Sequence, residues 1–180
     1  MNRASEIAFC ATALAALCIQ TTQADDWPFF RGPSLNGISK EKGWNPQNLK
    51  EAWKKDLGFG ASSFTVVGSK VLTSANKANT DIVYCFNADD GKEIWRYEFP
   101  CKFDKRMFDG GTASTPTIDG QYVYNFSYDG QIQCLKLADG KLAWKKNAIT
   151  DFKGRLSRWK YAGSPLVLGK LVIFDIGGSP

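Results

Sequence analysis

One segment of this chain occurs twice, and the repeat restricts the folds that it can adopt. Residues 85–95 read CFNADDGKEIW and residues 134–144 read CLKLADGKLAW, so Cys, Gly, Lys and Trp recur 49 residues apart (144 minus 95). Ser-Thr-Pro at 114–116 returns as Gly-Ser-Pro at 163–165 with the same spacing, and residues 62–64 form a weaker copy. Periods of this length are typical of propellers, solenoids and arrays, in which each unit buries its apolar face against neighbours.

Each unit contains short β-rich runs that are separated by turn signals. Asp-Gly pairs such as Asp90-Gly91 and Asp139-Gly140 favour hairpins, because glycine tolerates positive φ. No window beyond the N-terminus keeps the apolar spacing of a long helix. The pattern predicts an all-β protein, a β-propeller of four-stranded antiparallel blades. The predicted strands are 64–67, 70–74, 82–87 and 93–98 in one unit, and 115–118, 122–127, 131–136 and 141–145 in the next.

The Gly-Lys turn followed by Trp resembles the tryptophan-docking motif of the pyrroloquinoline quinone (PQQ)-like propeller repeat, of the quinoprotein alcohol dehydrogenase type. The chain has no His, which argues against WD40 blades. The resemblance implies that each Trp packs across a glycine turn of a neighbouring blade and bonds backbone through its indole N–H. We expect both repeat tryptophans to be mostly buried, with each Gly-Lys turn beside the Trp strand of the next blade. The residues assigned to this packing are Trp53, Cys85, Gly91, Trp95, Cys134, Gly140 and Trp144.

The repeats also predict how the chain is divided. Residues 1–24 read as a secretory signal peptide and 25–48 as an N-terminal arm. Residues 49–180 read as a partial PQQ-like propeller with a closing strand at 49–55, blades at 62–99 and 114–147, and a half blade at 163–180. About 2.5 blades of a ring of roughly seven or eight are therefore expected here, with the remainder of the ring outside this sequence.

Export and charge narrow the partners that are expected. The signal peptide predicts a periplasmic or secreted protein, and no other segment is apolar enough to cross a membrane. A formal net charge of +5 without a basic cluster interleaved with aromatics argues against nucleic acid. Expected partners are other exported or envelope proteins, or a small ligand at the propeller channel. Three cysteines follow residue 24, so at least one lacks a partner within the chain, and Cys101 is the candidate for an outside bond.

Two long loops before the innermost strands, 105–112 and 155–161, are the candidate binding sites, since functional residues favour loops on rigid scaffolds. Their candidate cofactor-binding residues are Arg106, Asp109, Thr112, Arg158 and Trp159. An Arg beside an aromatic suits an anionic planar ligand such as a quinone carboxylate. The simpler alternative is that Trp159 and Tyr161 cover the core, while the Arg side chains extend along it to solvent.

Two function classes follow from these observations. One is an exported propeller that serves as a binding and assembly scaffold. The alternative is a PQQ- and Ca²⁺-dependent alcohol dehydrogenase, whose catalytic residues would lie mostly outside this sequence. PQQ and Ca²⁺ therefore remain possible cofactors, although no catalytic residue or metal ligand is assigned here.

Overall fold

A computed structural model describes residues 24–106 and 110–178 of the chain. Two four-stranded antiparallel sheets and one two-stranded sheet follow each other along the sequence, each with its strands in consecutive order. Blade 1 consists of β1 Thr65–Val67, β2 Lys70–Lys77, β3 Thr80–Asn87 and β4 Glu93–Pro100. Blade 2 consists of β5 Thr117–Asp119, β6 Tyr122–Phe126, β7 Gln131–Lys136 and β8 Leu142–Asn147. The third unit contains β9 Leu166–Leu168 and β10 Leu171–Ile173.

The sheets differ from the predicted strands mainly at one hairpin. β2 and β3 extend to Lys77 and back from Thr80, and the connecting residues Ala78 and Asn79 have φ values of 52° and 66°. Two positive φ angles in a two-residue loop match the hairpin turns that follow the twist of paired strands. The sequence prediction ended β2 at Ser74, because neither Ala78 nor Asn79 belongs to an Asp-Gly signal.

The segment before blade 1 is ordered along the inner strands. Trp27 exchanges backbone hydrogen bonds with Val66 of β1 at 2.7 and 2.9 Å. The carbonyl of Pro28 accepts from the N–H of Ile118 in β5, 2.9 Å away, so this segment contacts both blades. A short 3₁₀ helix at Pro46–Asn48 follows. Residues 49–55, the expected closing strand, lie outside every strand of the described chain.

Two tryptophans pack on glycine turns, and each ring lies so close to the turn that only a residue without a Cβ atom fits there. The indole N–H of Trp53 donates to the carbonyl of Ala88 at 2.8 Å, and that of Trp95 donates to Leu137 at 3.0 Å. A Cβ atom on Gly91 would lie 2.6 Å from the Trp53 ring, and one on Gly140 would lie 2.6 Å from the Trp95 ring. Each Trp therefore packs on the turn of the blade that follows it, which reverses the direction that we expected.

Trp144 departs from the expectation that it is buried. It is 40% exposed, whereas Trp95 at the same repeat position is 7% exposed. No glycine turn of a later blade lies over Trp144 among the described residues, and its nearest aromatic neighbour is Tyr124, with ring centroids 6.1 Å apart. The turn that would cover Trp144 is expected 49 residues after Gly140, beyond residue 180, so the burial of Trp144 stays a prediction.

The main apolar core lies between blades 1 and 2, and two cysteines fill equivalent places in the sheets. Cys85 and Cys134 are buried, and each is paired in register with a repeat tryptophan, Cys85 with Trp95 and Cys134 with Trp144. Burial raises the pKa of Cys85 to about 12 and that of Cys134 to about 11, so both remain thiols at neutral pH. Cys101 is also a buried free thiol in the described chain.

Successive units are joined by a hydroxyl at one repeated position. The backbone N–H of Ser63 donates to Oγ1 of Thr115 at 2.9 Å, and the N–H of Thr115 donates to Oγ of Ser164 at 2.9 Å. These three residues occupy the same place in the three copies, directly before Phe64, Pro116 and Pro165. We call them the hydroxyl ladder. The hydroxyls of Thr115 and Ser164 each accept a hydrogen bond from a backbone N–H of the preceding unit.

Candidate functional site

The two loops that join the blades lie at one end of the sheets. Residues 101–116 follow β4, whose last residue, Pro100, is paired with Thr80 beside the β2–β3 turn. Residues 148–165 follow β8 and reach the β6–β7 turn, where the N–H of Tyr161 donates to the carbonyl of Tyr128 at 3.1 Å. We call residues 101–116 and 148–165 the inter-blade loops. The end of the molecule that they form includes both loops predicted to carry the site.

Nearly all of the net charge belongs to these loops. The first contains three cations and two carboxylates, and the second contains four cations and one carboxylate, which together give +4 of the chain's +5. The cations are Lys102, Lys105, Arg106, Lys153, Arg155, Arg158 and Lys160. A positive face of this kind attracts acidic partners over a distance and accelerates their encounter.

A shallow cleft of about 470 Å³ opens where the loops converge. Its cationic lining consists of Lys102, Arg106 and Lys160, and its two carboxylates are Asp104 and Asp129. Phe103 and Tyr128 complete the lining. The cleft thus combines positive charge with aromatic edges, which is the chemistry of a surface that holds anionic groups.

Within the cleft, Arg106 is already engaged. Its Nε and Nη2 atoms donate to the two carboxylate oxygens of Asp104 at 2.9 and 2.8 Å. This two-point contact lowers the pKa of Asp104 far below its usual range. Asp129 accepts from the Oγ of Ser127 and, at 3.0 Å, from Nε2 of Gln131. The cleft therefore presents Lys102 and Lys160 as the cations of its lining without a carboxylate contact in the described chain.

The predicted site residues are not gathered in one place. Arg106 lies in the cleft, but Thr112 is 1% exposed, and its carbonyl accepts from the N–H of Ala61 at 2.9 Å. Arg158 lies over the ring of its neighbour Trp159, 5.5 Å from the centroid, and Trp159 is 64% exposed. Asp109 lies outside the described residues. Trp159 covers no core, whereas Tyr161 is 6% exposed and packs against Phe126, so the simpler alternative is wrong for Trp159 and confirmed for Tyr161. The ligand-binding role of Arg158 and Trp159 stays a prediction.

Comparison with known proteins supports the repeat architecture. A family model described as "Outer membrane protein assembly factor BamB" matches residues 43–178, which is most of the chain. The chain belongs to the PQQ-like repeat propeller family. BamB of Escherichia coli (strain K12) is 33% identical over 114 residues, covering 58% of this chain and 28% of BamB. The dehydrogenase subunit of the quinone alcohol dehydrogenase of Gluconacetobacter polyoxogenes is 28% identical over 145 residues, covering 75% and 19%.

Solved structures agree with the propeller fold. The quinohemoprotein alcohol dehydrogenase from Comamonas testosteroni superposes with a TM-score of 0.61 at 25% identity, over 85% of this chain and 23% of its own. A europium-containing methanol dehydrogenase gives 0.62 at 18% identity, over 84% and 27%. The chain spans less than a third of the length of each of these relatives and structures.

The described residues of this PQQ-like propeller do not fit PQQ or Ca²⁺. They contain no group of three or more His, Cys, Asp or Glu side chains placed to hold a metal ion. Ca²⁺ requires six to eight oxygen ligands, and both cleft carboxylates are engaged by protein donors. Trp159, the one aromatic side chain among the five site candidates, stands in solvent beside Arg158. No catalytic step through either cofactor follows from these residues.

Five residues of the cleft lie outside both predicted loops, namely Lys102, Phe103, Asp104, Tyr128 and Asp129. Tyr128 and Asp129 belong to the β6–β7 turn, which the Asp129-Gly130 signal identified only as a turn. Lys102 directly follows the buried Cys101, and no local pattern distinguishes it from other surface lysines. A repeat alignment offers one usable signal, because in a propeller the turn between the second and third strands lies beside the loop of the preceding blade. Among the described residues, no helix is long and apolar enough to span a membrane.

Proposed function

We propose that this PQQ-like propeller segment belongs to an exported scaffold that binds and helps to assemble other envelope proteins, and that its inter-blade loops are the binding face. The observation that carries the proposal is the concentration of +4 of the chain's net charge in these two loops. The relatives named as outer membrane protein assembly factors agree with such a role. Export itself rests on residues 1–24.

Exposed aromatic side chains support binding by the same loops. Phe152 is 52% exposed and Trp159 is 64% exposed, and both lie within the second inter-blade loop. Arg and aromatic residues are enriched in protein interfaces, where large rigid side chains bury area at low entropic cost. The expected partner therefore has an acidic surface with an apolar centre.

Photo-crosslinking in cells tests this face with a matched control. A photoreactive phenylalanine analogue replaces Trp159 in one variant and Trp44 in the other; Trp44 lies in the arm and is 63% exposed, so the two positions are equally accessible. We expect adducts with envelope proteins from position 159 only. Equal adducts from both positions, or none from position 159, would contradict the proposal.

Charge reversal tests the electrostatic part. Lys105→Glu with Arg158→Glu removes loop charge, and Lys54→Glu with Lys145→Glu is the control, since all four side chains belong to exposed residues. We expect the loop variant to lose on the order of tenfold in adduct yield at position 159, with no change in the control. Equal losses in both variants would mean that overall charge, not the loops, governs binding.

A quinone-dependent alcohol dehydrogenase is the second candidate, favoured by the 28% identity over 145 residues to such an enzyme. It requires that residues outside the described chain supply the metal and quinone ligands. The test is titration of the natural protein with PQQ and Ca²⁺, followed by dye reduction with alcohols. Binding in the micromolar range that Arg106→Ala and Arg158→Ala leave unchanged would support the enzyme with a site elsewhere. No binding and no dye reduction would leave the scaffold.

A further inference from the structure

A polar cluster is buried between blades 1 and 2, beneath the first inter-blade loop. Asn76 of β2 donates from Nδ2 to Oδ1 of Asp81 in β3 at 2.7 Å and to the carbonyl of Cys101 at 2.9 Å. Asn76 and Asp81 are each 1% exposed. Thr112 and Tyr128 close the cluster from the loop and from blade 2, at 1% and 5% exposure.

Four oxygen atoms of this cluster lack a hydrogen-bond partner. They are Oδ2 of Asp81, Oδ1 of Asn76, Oγ1 of Thr112 and the hydroxyl of Tyr128. Burial raises the pKa of Asp81, and the side chains of Asn76, Cys101 and Thr112 act in the opposite direction, so all three are its neighbours. Leaving one buried polar group unpaired costs about 1–3 kcal/mol, so four together indicate that something further binds them.

The charge of the cluster is also unbalanced. No Lys or Arg of the described chain forms an ion pair with Asp81, and the other charged group that faces it is the carboxylate of Asp129. The Cys101 thiol is close to both carboxylates, and burial together with these negative charges raises its pKa far above neutral pH. Cys101 therefore stays neutral and adds no charge. Buried carboxylates in proteins are paired with cations or coordinate metals.

A second set of buried polar side chains lies in the same interface, and its members are hydrogen-bonded to one another. Ser74 donates its hydroxyl to Oδ1 of Asn125 at 3.1 Å, and Asn125 donates from Nδ2 to Oε1 of Gln133 at 2.8 Å. These three buried side chains are neutral, and none leaves a buried atom without a partner. The contrast separates this neutral, fully bonded network from the charged cluster around Asp81, where four oxygen atoms lack a partner.

We propose that the cluster binds one small monovalent metal cation, with Asp81 as its anionic ligand and Asn76 and Thr112 as neutral oxygen ligands. The Tyr128 hydroxyl lies on the side of the cleft. One buried carboxylate balances one positive charge, and the oxygen set is too sparse for Ca²⁺, which takes six to eight ligands. The cation would tie Thr112 of the first inter-blade loop to β2 and β3. This inference is independent of the proposed function.

Thermal unfolding of the natural protein in different salts tests the site. Melting temperatures are measured in NaCl, KCl and choline chloride at equal ionic strength, because choline is too large for a buried site. At a salt concentration ten times the dissociation constant, a rise on the order of 3–6 °C is expected in NaCl or KCl over choline chloride. Equal melting temperatures in the three salts would overturn the proposal.

Substitutions locate the effect. Asp81→Asn keeps the side-chain shape and should abolish the difference between salts, whereas Asp119→Asn, at an exposed position, should retain it. Thr112→Ser keeps the hydroxyl and should retain the difference, while Thr112→Val should reduce it. A salt-specific rise that persists in Asp81→Asn would place the cation elsewhere and refute this site. If Asp81→Asn fails to fold, the Thr112 pair decides.

Discussion

The two faces of blade 2 pack against their neighbours in different ways. Towards blade 1, Trp95 lies on Gly140, is 7% exposed and has its indole N–H bonded to Leu137. Towards the third unit, Trp144 occupies the same motif position and is 40% exposed. The difference follows the turn: Gly140 lies over Trp95, whereas the corresponding turn for Trp144 is expected beyond residue 180. The docking motif therefore predicts a contact that needs both the tryptophan and the glycine turn of the following blade. The tryptophan alone does not determine its own burial.

The side chains that fill the two interfaces also differ. The interface with blade 1 contains the buried polar groups around Asn125 and Asp81. The interface with the third unit is aromatic, with Phe126 lying 4.9 Å from Tyr161 and 5.5 Å from Phe174 between ring centroids. A repeat that conserves its strands and turns can therefore exchange polar for apolar packing between one interface and the next.

The largest effect that separates the two faces should come from the tryptophans. Trp95→Ala removes a buried ring and a hydrogen bond, and we expect it to reduce the free energy of unfolding by about 3–5 kcal/mol. Trp144→Ala should cost roughly 1–2 kcal/mol, because less of its surface is buried. Denaturant unfolding of both variants measures the difference. Equal losses would show that Trp144 is buried against a later part of the natural protein.

Glycine substitution sharpens the comparison at the turn. Gly140→Ala places a Cβ atom 2.6 Å from the Trp95 ring at a φ of 69°, whereas Gly120→Ala at a φ of 53° meets nothing within 4 Å. Both variants carry the strain of positive φ, about 1–2 kcal/mol. Overpacking should add roughly 1–3 kcal/mol for Gly140 only. If Gly120→Ala reduces the free energy of unfolding as much as Gly140→Ala does, the clash with the Trp95 ring does not contribute to the cost.

The hydroxyl ladder predicts a smaller difference between two buried threonines. Thr115→Val removes the acceptor for the N–H of Ser63 and should cost about 1–3 kcal/mol. Thr65→Val serves as the control, because Oγ1 of Thr65 has no partner in the described chain, and it should cost less than about 1 kcal/mol. Chemical denaturation of the two variants gives both values. The ladder does not stabilise the interface if they are equal.

The smallest effect concerns pH and belongs to the blade 1 interface alone. Burial raises the pKa of Asp81 above its usual 3.8, so the folded protein holds a proton that the unfolded chain releases. Stability should therefore fall as pH rises from about 3.8 through the folded pKa, in choline chloride without metal cations. Asp81→Asn should remove this fall. An unchanged pH profile in that variant would assign the effect to another group.

The strands and turns could be predicted from the sequence because their signals are local. Asp-Gly pairs and alternating apolar residues identified all eight strands of the two blades, and the 49-residue spacing identified the repeat. The Ala78-Asn79 turn was missed because Ala is a poor residue for positive φ, and the strands on either side impose it. Residues 1–23 and Asp109 lie outside the described chain, so the signal peptide and the role of Asp109 stay predictions.

The candidate site was harder to predict from the sequence, because its residues come from segments that are far apart in the chain. Lys102, Tyr128 and Lys160 meet at the cleft from three separate parts of the sequence. Thr112 was expected at the channel mouth, but its pairing with Gly60 and Ala61 holds it inside the protein. Arg106 does line the cleft, although its guanidinium is committed to Asp104. Long-range pairing, which no local motif records, determines each of these outcomes.

Both hydrogen bonds of the hydroxyl ladder run from an earlier unit to the unit that follows it in the sequence. This polarity limits how further blades can be added to such a protein. The backbone N–H of Ser63 donates a hydrogen bond to the hydroxyl of Thr115, and the N–H of Thr115 donates one to the hydroxyl of Ser164. The middle unit therefore offers an acceptor on one side and a donor on the other. Head-to-tail contacts of this type extend by addition of like units and close only when the rotation per unit allows it. A duplicated unit therefore carries both halves of the contact with it, and gene duplication can add a blade without a new interface having to evolve.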